Sequence, residues 1–283
     1  MKFFLRVAFA VLTSLFAAFA IFALFNLPYL EQRTLELGIN YAAREYFGGS
    51  IRLQNVKIDK NLKLQIEGLE GRFRTRSGPL PVEAQRIRSN EPLTHLFLQK
   101  PVTFGFEAAR PKHSAYNGIH GSAVYKGGKE WEFRLDGDIE GIGLEDLTPL
   151  SPESLTGSSG SMKGRITLAS DARHDPAFGL ELRVEEPGGK MQARFFDLLL
   201  PYLPQIQTQR KIEKLSGTAK LVAYRKASFQ MNLVESDRIK MLLQIEVPEY
   251  NLNLNLNMEI RVDRKNALSQ IAQIMGLVEV AVQ

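Results

Sequence analysis

The chain has no cysteine, which excludes a disulfide framework, thiolate catalysis and any cysteine-bound metal. It has no Asn-x-Ser/Thr acceptor, a pattern that suits a bacterial cell envelope better than a eukaryotic secretory route. Its net charge of +5 comes without a dense run of Lys or Arg, so nucleic acid is not expected as a partner. The four histidines, His95, His113, His120 and His174, stand too far apart for a local metal motif. Neither a G-x-x-x-x-G-K-[ST] phosphate loop nor a G-x-S-x-G nucleophile elbow occurs; the run GSSGSMKG from Gly157 fails both spacings. Asp136, Asp138 and Glu140 sit two apart in LDGDIEG, which places them on one face of a strand, and a solvated face explains them better than a cation site. No catalytic residue, cofactor or metal site is expected, and the chain does not read as an enzyme.

What the sequence does contain begins with an apolar run. From Val7 to Leu27 it reads VAFAVLTSLFAAFAIFALFNL, uncharged and long enough at about 1.5 Å per residue to cross a hydrocarbon core of roughly 30 Å. The run extends beyond the apolar stretch of a cleaved signal, so an uncleaved anchor is expected over residues 1–27. Lys2 and Arg6 precede it, which puts the N-terminus in the cytoplasm and the rest of the chain outside it. Pro28, Leu30, Leu35, Ile39, Ala42 and Tyr46 then recur near helical spacing until Gly48 and Gly49, predicting a membrane-proximal helix over 28–48.

Past Gly49 the apolar period changes to two. Ile51 and Leu53 are followed by Val56 and Ile58 after a phase shift at Asn55, the mark of a bulge or turn. The alternation returns at Val102–Phe106, Trp131–Leu135, Ile166–Leu168, Phe178–Val184, Phe229–Leu233 and Ile239–Val247, and it is longest in YNLNLNLNMEIRV, from Tyr250 to Val262. An antiparallel, mainly β body is expected over 49–263, with a closing helix over 264–283. Residues 74–95 read as a strand pair or a loop. Gly141 to Gly164 carries leucines spaced for short helical turns, and FFDLLLPYL, Phe195 to Leu203, reads as a buried connector ahead of two alternatives, a lip of the body or a patch dipping into a membrane surface.

Together, the anchor, a helix ending at Gly49, and GSIRLQNVKIDKNLKLQIEGLEGRF resemble the opening of AsmA-like envelope proteins (the AsmA/TamB superfamily). DGDIEGIGLEDLTPLSPESLTGSSGSMKGRITLAS, with Gly160 and Gly164, is similar to the recurring phrase of that family and of the GspN-type component of type II secretion. The resemblance implies a periplasmic sheet curled into a taco-like groove with an apolar interior, held at the inner membrane by a single span and used to pass lipid. Its groove lining is expected from Phe229, Met231, Leu233, Met241, Leu243, Ile245, Leu252, Leu254, Leu256, Met258 and Ile260, with a phospholipid or other acyl lipid as the partner. The alternative is a non-enzymatic scaffold of a secretion-like envelope machine that holds protein partners by strand-edge pairing.

Overall fold

The computed structural model describes Leu37, Asn40, Ala267, Gln270, Ile271 and residues 50–75, 78–111, 118–203, 206–218, 220–235 and 237–263. The expected membrane span lies outside the described residues, as does most of the membrane-proximal helix and of the closing helix expected over 264–283. Among the described residues no helix is long and apolar enough to cross a membrane.

The alternating segments form one open antiparallel sheet of 12 strands. In chain order these are β1 (Ser50–Leu53), β2 (Val56–Ile58), β3 (Leu64–Thr75), β4 (Gly78–Ser89), β5 (Val102–Pro111), β6 (Gly118–Lys126), β7 (Glu132–Gly143), β8 (Ser161–Asp171), β9 (Ala177–Val184), β12 (Lys226–Val234), β13 (Arg238–Val247) and β14 (Leu252–Arg261). From β2 to β9 and from β12 to β14 each strand pairs with the next in sequence; β1 joins β2 on the same edge of β3, and β9 pairs with β12 across an inserted segment. The phase shift at Asn55 has a backbone cause: its φ of 48° is left-handed, and β1 and β2 flank it on the same edge of β3. Residues 74–95 supply the end of β3, all of β4 and the start of the single-turn helix α1 (Thr94–Phe97); a second single-turn helix, α2 (Pro152–Leu155), lies between β7 and β8.

The break between β9 and β12 holds an inserted module. A second, two-stranded sheet of β10 (Gly189–Gln192) and β11 (Leu221–Tyr224) encloses helix α3 (Ala193–Asp197), a 3-10 turn at Leu200–Tyr202 and helix α4 (Ile206–Thr218). Periodicity explains α4: Ile212 and Leu215, three apart, are fully buried, whereas Arg210, Lys211, Glu213 and Lys214 are exposed. In the connector, Phe196, Leu199 and Leu203 are buried, as expected of such a run, but Leu198 and Tyr202 are more than half exposed, at 56% and 59%. The insert carries Lys190, Arg194, Arg210, Lys211, Lys214 and Lys220 against only Asp197 and Glu213, so most of the chain's net positive charge is concentrated there.

Cross-strand pairing assigns the faces, because directly opposite residues share a side of the sheet. One row runs Ile66, Ile87, Phe106, Gly121, Gly137, Ile166, Leu180, Met231, Met241 and Met258, from β3 to β14. The adjacent row contains Phe104, Ala123, Leu135, Leu168 and Phe178. The opposite face carries the charges, including Asp136, Arg165 and Glu181. At two glycines the neighbouring strand's backbone leaves no room for a side chain. A Cβ on Gly121 would stand 2.1 Å from the Asp136 carbonyl oxygen, and one on Gly164 only 1.8 Å from that of Glu181. The 3-10 turn Leu144–Leu150, which follows β7, folds back to lie near β4, three places back in the strand order.

Candidate functional site

Three packed clusters lie on the apolar face. One, at the β1–β5 end, gathers Leu53, Val56, Leu64, Ile66 and Val102 around Leu93 and Leu96 of the α1 segment. Another joins Phe178, Met231, Ile239 and Met241 to Ala267 and Ile271, two helical residues beyond β14. The largest joins β7–β9, β13 and β14 to the insert through Phe196, Ile212, Leu215, Val222 and Tyr224. Between them lie Phe106, Ala123, Phe133 and Leu135, apolar, half-buried and belonging to none of the three. These residues sit on β5, β6 and β7; on β8, Leu168 opposite Leu135 and Ile166 opposite Gly137 are half-buried too and join the floor to the neighbouring clusters. Four strands at about 4.8 Å spacing make this floor roughly 15 Å wide. Gly121 and Gly137, opposite each other at its centre, leave room for the Phe106 ring, whose Cζ lies 3.4 Å from where a Gly137 Cβ would be.

The structure distributes the eleven lining residues expected from sequence over three environments. Leu243, Ile245, Leu252, Leu254 and Leu256 are buried in the cluster that α3 and α4 cover. Met231 and Met241 are buried beside Ala267 and Ile271. Phe229, Leu233 and Met258 are half-buried, and Ile260 at the end of β14 is 38% exposed. Phe106, Phe133 and Leu135 were all visible in the period-two signal, but no pattern within a strand tells which part of an apolar face another element covers.

The polar groups are tied up structurally. Asp136 accepts from Arg165 at 2.8 Å (Nε) and 2.6 Å (Nη2), and the guanidinium holds its carboxyl below the usual range. Asp171 accepts from the His174 ring and from two main-chain N–H groups, which hold its carboxyl down at about 2. Among the described residues, no three of His, Asp and Glu gather as metal ligands. The GSSG run is a joint rather than an anion cradle. Ser159 and Lys190 exchange main-chain bonds of 2.8 and 3.1 Å, and the Ser158 hydroxyl accepts from the Gln192 N–H.

Tyr224 locks the same joint. It is 2% exposed and its hydroxyl donates to the Ser159 carbonyl at 3.0 Å. Burial, and secondarily the Glu145 carboxylate, pushes its phenol up to about 12. Because folding favours the neutral phenol, the stability this residue contributes is complete below pH 10, the unfolded value, and is lost as pH rises through 12. At about 1.4 kcal/mol per unit the full loss is roughly 3 kcal/mol. Urea unfolding at pH 9 and pH 11 is expected to show this alkaline decline in the parent protein and a smaller one in Tyr224→Phe. An equal decline in both would sever the joint from Tyr224 ionisation.

No family model matches the chain, and comparison with curated proteins and with solved structures finds no similar one.

Proposed function

We propose that this protein is an inner-membrane-anchored lipid-binding or lipid-transfer module of the cell envelope, with the apolar face of its open sheet curling to act as the groove. The observation that carries the reading is the half-buried floor of Phe106, Ala123, Phe133 and Leu135 between three packed clusters. An apolar strip about 15 Å wide along strands of up to 12 residues suits acyl chains, whose burial is worth about 0.8 kcal/mol per CH₂. Phe229, Leu233 and Met258 extend the lining toward β14, and Met258 adds a flexible thioether that adapts to varied chains. Covered as they are by α3 and α4, Leu252, Leu254 and Leu256 make the wall behind it.

Supporting the membrane location are the apolar run from Val7 to Leu27 and an insert that combines excess positive charge with exposed Leu198 and Tyr202. The deciding experiment uses the full chain carrying a photo-crosslinking residue at Phe106, Leu135 or Arg134, followed by mass spectrometry of what is captured. Phe106 and Leu135 are expected to capture phospholipid. Arg134, next to Leu135 on the charged face, is expected to capture none. Equal capture at all three positions, or none at Leu135, would overturn the groove.

A further inference from the structure

The two edges of the sheet are built in opposite ways. At one edge the backbone is broken into a four-residue β1 and a three-residue β2 around left-handed Asn55, a device that blocks further strand addition. At the other, β14 pairs with β13 in unbroken register from Leu252 to Arg261 and contains no Pro, Gly or bulge. From Leu252 to Asn257 it carries no charge either. Among the described residues nothing pairs with its outer side. Helix α4 covers the apolar face of Leu252, Leu254 and Leu256, and just before the strand begins Lys211 Nζ donates to the Asn251 carbonyl at 2.8 Å.

Which main-chain groups face outward follows from one hydrogen bond. Val262 N–H donates to the Asp237 carbonyl at 2.7 Å, so even-numbered residues direct their groups toward β13. The odd-numbered ones, Asn253, Asn255 and Asn257 among them, therefore turn N–H and C=O outward. We propose that this edge pairs with the β14 edge of a second copy of the chain, antiparallel, with the two-fold axis passing beside Asn255. That register sets Asn255 opposite its own copy and Asn253 opposite the copy's Asn257. All of these residues have outward main-chain groups, so each opposed pair exchanges both of its bonds. On the apolar face Leu254 meets Leu256 of the copy, which makes one side continuous with the buried cluster.

The side chains single out a second copy as the occupant. A carboxamide both donates and accepts, so an Asn row is complementary to itself, whereas a row of Lys or Glu would meet its own sign. The other strands of this face use charges: Asp136 on β7, Lys163 and Arg165 on β8, Glu181 and Arg183 on β9.

The lack of cysteine makes the test clean, because any introduced cysteine is unique. Full chain in detergent, bearing Asn255→Cys, is expected to form a disulfide-linked dimer on mild oxidation. Opposite residues in such a pair lie about 5.5 Å apart between Cα atoms, within disulfide reach. Asn253→Cys and Asn257→Cys are each expected to stay unlinked alone, being about 13 Å from their own copies, and to link when mixed. Asn255→Pro removes an outward donor without touching the β13 ladder, so light scattering is expected to give half the parent's protein mass with unchanged circular dichroism. A single-chain mass for the parent protein, or cross-linking that is equal at residues 253, 255 and 257, overturns the proposal. Neither result bears on lipid capture at Leu135.

Discussion

Leu254→Asp is expected to unfold the β domain, and Leu254→Ala to cost about 2–5 kcal/mol. Leu254 is 3% exposed, stands opposite Ile245 in the β13–β14 ladder, and shares a cluster with Ile212 and Leu215 of α4. A carboxylate at that position has no partner among its apolar neighbours, and burying it uncompensated costs several kcal/mol on top of the lost packing. Against a total stability of about 5–15 kcal/mol for an ordinary domain, the sum leaves little or no folded protein. The measurement is circular dichroism with limited proteolysis of the full chain. Leu135→Asp, on the half-buried floor, serves as the comparison and is expected to keep a protease-resistant core. Equal resistance in the two variants would place Leu254 in an open groove instead of a packed wall.

Gly164→Ala is expected to be nearly as damaging for a different reason. Its added methyl would lie 1.8 Å from the Glu181 carbonyl oxygen on β9, and a neighbouring backbone cannot step aside as a flexible side chain can. Relief requires β8 and β9 to separate, at roughly 3 kcal/mol or more. Amide hydrogen exchange is expected to rise first at the Gly164–Leu182 and Ile166–Leu180 pairs. Gly105→Ala is the control: a Cβ there meets nothing within 4 Å and its φ is ordinary, so the substitution is expected to be neutral or slightly stabilising. If Gly164→Ala matched that control, the close approach of β8 and β9 would not be a constraint.

Side-chain alternation made most of the sheet legible before any coordinates. The strands around Phe104, Leu135, Leu180 and Leu254 follow from it, and so does the irregularity at Asn55, because a left-handed residue resets which side chain faces inward. What escaped was β6 (Gly118–Lys126), the short β10 and the insert's second half. Helix α4 has only Ile212 and Leu215 as described buried apolar residues in a segment rich in Gln, Lys and Arg, so its amphipathic signal is thin although its residues are good helix formers. Missing α4 also hid what lies over β14. Alternation identified Leu252, Leu254 and Leu256 as apolar and facing one way, but their covering comes from residues some 40 positions earlier in the chain. For the same reason the floor at Phe106 and Leu135 could be named from its strands but not distinguished from the wall.

The strand order has a consequence for how the chain acquires its shape. From β3 to β9 every strand adds to the one just made, so contacts are local and a growing sheet needs no late segment to complete an early one. Such an array assembles by stepwise extension, each hairpin templating the next, much as repeat proteins propagate from a formed unit. The passage from Val184 to Lys226 is the one discontinuity. Closing a loop of about 40 residues instead of a tight turn of about four costs roughly 2 kcal/mol more in chain entropy. The β10–β11 pair brings the loop's two ends together, so it is where assembly of the last three strands would be gated.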